Sequence, residues 1–224
     1  MKKSTGNMYE NWITFNPLNG SCSHKCPYCS TNKFFYPEQI KCYTGELRLN
    51  ENAMKKPLGK NNNIFVVAQN DLFAENVPTN FISEIINYCK KFDNTYLFQT
   101  KNPEKLFNFI PFLPEKSIIC TTIESNIFYY DFMGNTPTPH ERAKYMSRIF
   151  GIEKHVTIEP IMKFDLVPFA EMLKLINPFQ INIGANSFTK IKLPEPSKDE
   201  ILALISELVK FTKVVKKTNL KRLF

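Results

Sequence analysis

The sequence predicts an α/β fold of about six consecutive strand–helix units around a parallel sheet. Short β-branched or aromatic runs recur along the chain, each followed by a stretch whose apolar residues repeat at helical spacing. Most of these runs lack polar alternation, as parallel strands covered on both faces do. The length, 224 residues, falls short of the roughly 250 of an eight-unit barrel. A six-unit partial barrel fits that length, with a doubly wound open sheet as the alternative.

The elements follow in order. Trp12-Ile-Thr-Phe15 opens the series, and Ile64-Phe-Val-Val-Ala68, Thr95-Tyr-Leu-Phe-Gln99 and residues 117–123, 155–161 and 179–183 supply five more strands. Phe81, Ile82, Ile85, Ile86 and Cys89 form one helical stripe. Ala143, Met146, Ile149 and Phe150 form the next, entered through Thr138-Pro-His-Glu141, a capping box with proline at the first helical position. Phe169, Met172, Leu173 and Ile176 repeat the rule before Asn177-Pro178. Ile201, Leu204, Ile205 and Leu208 close it behind a second box, Ser197-Lys-Asp-Glu200. No linker or internal repeat divides the chain, so residues 1–209 read as one core domain and 210–224 as a basic C-terminal tail.

Composition narrows the classes further. With 43% hydrophobic and 22% charged residues the chain sits in the ordinary globular range. Its longest apolar runs, Ile64 to Ala68 and Ile201 to Ile205, are far below the roughly 18 residues of a membrane span. Met1-Lys2-Lys3 leads into Ser-Thr-Gly-Asn without the apolar stretch of a secretory signal, so a cytoplasmic location is expected. Cysteines in that compartment are ligands or buried thiols rather than disulfides. Dinucleotide, P-loop, zincin and serine-hydrolase motifs have no match. The net charge of +8 is local: from Lys210 onward there are six basic residues and no acid, whereas residues 1–209 hold 23 basic against 21 acidic groups. That tail is either a polyanion-binding segment or a solvated surface in a lysine-rich chain.

The chemistry concentrates after the first strand, in Asn16-Pro-Leu-Asn-Gly20-Ser-Cys22-Ser-His-Lys-Cys26-Pro-Tyr-Cys29. Three thiols spaced C-x3-C-x2-C on one loop can converge on a metal centre. Structural zinc takes four ligands, and ferredoxin-type clusters take four cysteines. Three cysteines on a [4Fe-4S] cluster instead leave one iron open to a substrate or cofactor. The alternative is zinc with Cys42 or His24 as the fourth ligand.

This loop resembles that of the radical S-adenosylmethionine (radical-SAM) enzymes, whose hallmark is CxxxCxxC after the first strand of a partial (β/α)6 TIM-like barrel. Further short motifs, in order at strand ends, are similar to a phage- and bacterium-associated radical-SAM family of unassigned substrate related to spore photoproduct lyase. They are Asn16-Pro17 and Gly20, Asp71-Leu72-Phe73, Gln99-Thr-Lys101-Asn-Pro-Glu104, Thr122-Ile-Glu124, Ile158-Glu-Pro160 and Ile183-Gly184, spanning roughly residues 11–187. Gly184-Ala185 stands where many members carry Gly-Gly.

The resemblance implies a radical-SAM core alone, with a [4Fe-4S] cluster on Cys22, Cys26 and Cys29. It implies S-adenosylmethionine on the open iron, cleaved to a 5′-deoxyadenosyl radical that takes hydrogen from a substrate. An external electron donor of the flavodoxin or ferredoxin type is implied with it. Tyr28 matches the aromatic that packs on the adenine, or simply covers the cluster. Lys101 and Glu124 match positions near the methionyl carboxylate and ribose, or form an interstrand ion pair. Arg142 faces the cofactor carboxylate, or solvent. Gln69, Asn70 and Glu159 fall at strand ends, where reacting groups of parallel barrels gather. Glu159 reads as ligand-facing, because an otherwise apolar strand has little reason to bury a carboxylate without a partner.

Cys89 and Cys120, in apolar elements, read as core. The aromatic run from Ile127 to Met133 reads as a cover over the barrel mouth or a lid packed on the last helix. The lyase relationship and the basic tail point to a nucleic acid or nucleotide substrate, and the short apolar runs to no membrane partner. The competing class is a non-catalytic nucleic-acid-binding module stabilised by zinc or a cluster.

Overall fold

A computed structural model describes residues 12–29, 31 and 37–224. Seven parallel strands form one sheet in chain order: β1 (Ile13–Phe15), β4 (Asn63–Val66), β5 (Thr95–Thr100), β6 (Ser117–Thr122), β7 (Glu153–Ile158), β8 (Gln180–Ile183) and β9 (Lys213–Lys216). β1 and β9 are its two edges, so the sheet is an unclosed, partial barrel. β2 (Leu18–Asn19) and β3 (Arg48–Leu49) pair antiparallel beside it. Among the described residues no helix is long and apolar enough to cross a membrane.

The expected helices appear as α3 (Thr79–Cys89), α6 (Pro139–Ser147), α7 (Leu166–Ile176) and α8 (Lys198–Leu208), joined by shorter α1 (Pro37–Tyr43), α2 (Glu51–Met54), α4 (Pro103–Phe107) and α5 (Tyr130–Met133). Both capping boxes form, at Thr138 with Glu141 and at Ser197 with Glu200, each contributing about 1 kcal/mol to a helix start. The long helices bury their stripes against outward-facing strand residues such as Ile64, Tyr96, Phe98, Ile119, Val156, Ile158, Ile181 and Ile183. Phe150 falls past the end of α6 and is exposed, so it is not part of the stripe.

Two expectations change. The segment from Lys210 is not a loose tail, because β9 pairs in register with β8 and Leu220 is buried in the core. Lys-Val-Val-Lys hides a strand from pattern reading: only two apolar residues separate the charges. The strands are also not apolar on both faces. Residues that alternate with the core-packed ones, namely Gln99, Thr122, Thr157 and Asn182, turn to the inner face of the sheet. Apolar inner residues gather in a small cluster of Trp12, Phe65, Leu97, Ile118 and Cys120.

Candidate active site

A cavity of about 650 Å³ opens at the carboxyl ends of the strands. Cys22, Cys26, Cys29, Tyr28, Gln69, Asn70, Lys101 and Glu159 all line it, with Gln99, Thr122 and Thr157 beneath. None of the six cysteines is in a disulfide, and Cys22, Cys26 and Cys29 alone of them reach this wall. Cys89 and Cys120 are buried away from it.

The cysteine loop is held from several sides. Gly20 donates its N–H to the Cys42 carbonyl (2.8 Å), and Ser21 donates to that of Gly45 (3.0 Å). Asn70 donates through Nδ2 to the Gly20 carbonyl (2.9 Å), while Gln69 accepts from the Tyr43 hydroxyl. Asn70 thus spends a hydrogen bond on the loop, and Gln69 one on the end of α1 (Pro37–Tyr43), as well as lining the cavity. At the centre His24 Nε2 and Asp71 Oδ2 are 2.8 Å apart and buried. Asp71 also accepts from the backbone N–H of Lys101 (2.7 Å) and of Phe73 (3.0 Å). Burial works against the Asp71 charge, yet the His24 hydrogen bond, its charge and the Lys101 N–H hold the carboxyl below its ordinary range.

From outside, the aromatic run packs on the loop. Met133 lies against Cys26 and Tyr28, with Phe128, Tyr129 and Phe132 around them. None of residues 127–133 lines the cavity, so the run backs the cysteine loop instead of covering the mouth or the last helix. Gly134 makes the contact possible: its φ is +63°, and a Cβ there would fall 2.1 Å from the His24 carbonyl oxygen. Gly134→Ala is expected to displace the loop and lose about 1–3 kcal/mol. Thermal denaturation alongside metal analysis checks this: both melting temperature and metal content should drop.

Lys101, Glu124, Arg142 and Tyr28 meet in one buried network. Arg142 donates to Glu124 Oε2 (2.8 Å) and Lys101 Nζ lies 3.0 Å from Oε1, an oxygen that also accepts from the Tyr28 hydroxyl. Lys101 sits over the Tyr28 ring, 4.5 Å from its centroid, and donates to Cys26 Sγ at 3.4 Å. Glu124 and Arg142 are fully buried behind the cavity wall, not on it, so Arg142 is not a solvated helix residue. Burial opposes the Glu124 charge, but Arg142, then Lys101 and Tyr28, hold its carboxyl far below the usual range. Burial likewise opposes the Lys101 charge, and Cys26, Tyr28 and Glu124 raise its pKa well above the ordinary value. Burial, assisted by Glu124, raises the Tyr28 hydroxyl.

Across the cavity Glu159 pairs with Lys217, and Asn219 Nδ2 donates to its Oε1 (2.8 Å). Lys217 and Asn219, beyond the end of β9, were not singled out for this site by sequence. Their signal was positional: Lys217 follows the last strand as Lys101 follows β5. Lys210 pairs with Glu207 and Arg222 with Glu195, so three of the six basic groups after 209 are engaged within the fold.

The cysteines supply a soft donor set that fits a three-thiolate metal group with a position left open. Burial first, then Asp71 and the neighbouring Cys26 and Cys29, push the Cys22 thiol up to about 12, while the His24 N–H opposes them; a bound cation would reverse that balance. Among the described residues no three His, Cys, Asp or Glu side chains already stand as a closed ligand shell. Cys26 Sγ instead contacts the Met133 carbonyl (3.4 Å), and Cys29 Sγ contacts Thr31 Oγ1 (3.0 Å).

The architecture has solved counterparts. A cysteine-to-serine mutant of spore photoproduct lyase matches 96% of this chain and 78% of its own, at 12% identity and TM-score 0.64. Another lyase mutant, with bound AdoMet and dinucleoside spore photoproduct, matches 88% and 61%, at 13% identity and TM-score 0.53. SuiB of Streptococcus suis, bound to S-adenosylmethionine, matches 92% and 50%, at 11% identity and TM-score 0.52, so this chain spans half of SuiB's length. No curated protein matches the sequence. The model of the family described as "Protein of unknown function (DUF5131)" matches residues 9–176, three-quarters of the chain. The chain belongs to the DUF5131 family, and its fold is the one shared by these radical-SAM enzymes.

Proposed function

We propose that the protein is a radical-SAM enzyme whose [4Fe-4S] cluster is held by Cys22, Cys26 and Cys29. The observation that carries this is the convergence of three cysteine thiols outside any disulfide, and no fourth, on a cavity at the carboxyl ends of a parallel sheet. When bound, cluster and S-adenosylmethionine together supply one-electron cleavage of the cofactor and hydrogen-atom abstraction from substrate, driven by an external donor of the flavodoxin or ferredoxin type.

The chain's own residues supply position and charge. Asp71 ties His24 of the cysteine loop to the backbone after β5, so loop and Lys101 are fixed together. Lys101 brings a cation to Cys26 Sγ. Glu124 and Arg142 act from behind, orienting Lys101 and Tyr28, which face the cofactor. Gln69, Asn70 and Glu159 complete the cofactor-side wall. The aromatic run keeps water from the outer side of the loop. A nucleotide or nucleic acid is the substrate class we favour: one fold neighbour holds a dinucleoside, whereas SuiB is also known with its precursor peptide.

One observation supports a second reading. His24 has a carboxylate on one ring nitrogen and no partner on the buried other one, the arrangement of a histidine metal ligand. A Cys3His zinc site would make the protein a non-catalytic nucleic-acid-binding module.

Anaerobic reconstitution separates the two. About four irons per chain are expected, with 5′-deoxyadenosine formed from S-adenosylmethionine and dithionite, and Cys26→Ala should lose both. One zinc per chain, no iron and no cleavage would sink the radical-SAM proposal.

A further inference from the structure

A lysine ammonium has three N–H donors, and at Lys101 each of them meets a partner. Nζ lies 3.0 Å from Glu124 Oε1, donates to the Tyr28 hydroxyl, and donates to Cys26 Sγ at 3.4 Å. The ammonium is fixed from behind. Glu124 is joined to the fully buried Arg142 at 2.8 Å, and the Tyr28 ring lies against Nζ, 4.5 Å to its centroid. No N–H of Lys101 is left over for a carboxylate in the cavity, and one of the three is committed to a cysteine of the metal loop.

The three cysteines are served differently. Cys22 has the backbone N–H of His24, Thr31 Oγ1 lies 3.0 Å from Cys29 Sγ, and Cys26 has Lys101. Of these three neighbours only Lys101 carries a charge. The network behind it also has a net sign: Lys101 and Arg142 are two cations against the single Glu124 anion, so one positive charge is held beside Cys26. The Lys101 side chain is 16% exposed and those of Glu124 and Arg142 are 0% exposed, so water screens little of that charge.

We propose that Lys101 is a positioning residue that acts through Cys26 Sγ to raise the reduction potential of the cluster, and that it does not hold the cofactor carboxylate. A thiolate-ligated cluster gains negative charge when it is reduced. Hydrogen bonds to its sulfurs and a nearby positive charge therefore favour the reduced form. Glu124 has the opposite influence, because its anion subtracts from the charge that reaches Cys26. The network thus sets how readily an external donor can deliver its electron.

The inference rests on the cluster reading above, and a potential tells the two apart. Anaerobically reconstituted full chain, free of S-adenosylmethionine, would be titrated with dithionite in the presence of mediator dyes, and the reduced cluster counted by electron paramagnetic resonance. Lys101→Met keeps the apolar stem and removes the charge. Its reduction equilibrium constant should fall at least tenfold, a downward shift of about 59 mV or more for a one-electron couple. Lys101→Arg retains the charge and should stay near the wild-type potential. Glu124→Gln keeps the shape and removes the anion, so its potential should rise; it supplies the test where Lys101→Met holds no cluster. Binding of S-adenosylmethionine to the loaded Lys101→Met protein, read by calorimetry, should remain close to wild type. An unchanged potential in cluster-bearing Lys101→Met, or a Glu124→Gln potential that does not rise, would overturn this inference alone. Tenfold weaker cofactor binding with the potential unchanged would return Lys101 to the carboxylate. Wild-type protein that takes up no iron would overturn the cluster reading, and this inference with it.

Discussion

Glu124→Ala should cost about 3–5 kcal/mol, because it leaves Arg142 buried without its carboxylate and removes the charge that Lys101 faces. The cost is large for a reason distinct from the strength of the native bridge. Arg142 is 0% exposed and carries an unpartnered Nε even in the intact network. Deleting the anion therefore leaves an uncompensated charge in low dielectric, where the desolvation penalty is no longer offset. Urea unfolding measures the loss, and a cost under 1 kcal/mol would mean that water reaches the guanidinium. The pH dependence has a defined sign. Glu124 has a folded pKa below its ordinary 4.5, so its contribution is present above that value and lost as pH falls toward the lower folded value. Asp71 acts in the same direction. Wild-type stability should decline in that acid window, and the Glu124→Ala profile should be flatter there.

Truncation after Val209 should prevent cooperative folding. It removes the strand paired with β8, the buried Leu220, and both Lys217 and Asn219 from Glu159. Losing a buried leucine costs about 2–5 kcal/mol by itself, against a whole stability of about 5–15 kcal/mol. Circular dichroism and gel filtration decide it: a truncated chain with the wild-type melting temperature would show that β9 is dispensable. Charge reversal at Lys217 is no test of polyanion binding, because it would strike the Glu159 pair.

The fold was legible where apolar residues are dense. Six strands and four long helices could be placed because Ile, Val, Leu and Phe repeat at the two characteristic periods, and both capping boxes mark helix starts that form. β9 escaped because a strand at the sheet edge needs few apolar residues, and lysines at both ends made it look like a charge run. The cysteine loop was legible as spacing, and most residues at strand ends do line the cavity. What spacing could not supply was depth. Nothing in Pro-His-Glu-Arg-Ala distinguishes Arg142, fully buried on Glu124, from a solvated arginine one turn away. Nor could it show that Asp71 grips both His24 and the Lys101 backbone, since those contacts join residues 47 and 30 positions apart.

The polar inner face also bears on how the protein responds to temperature. Unfolding exposes apolar surface mainly from the helix side of the sheet, while Gln99, Thr122, Thr157 and Asn182 contribute polar surface from the other. Apolar exposure raises the heat capacity of the unfolded chain and polar exposure lowers it, by about +0.45 and −0.26 cal/K/mol per Å². The heat-capacity change of unfolding is thereby reduced relative to a barrel filled with Val, Ile and Leu, and the stability curve is flatter. A filled barrel would draw that stability from its own packed centre. Here the polar end of the inner face opens into the cavity at the carboxyl ends of the strands, and any molecule bound there stabilises the fold in proportion to the logarithm of its concentration.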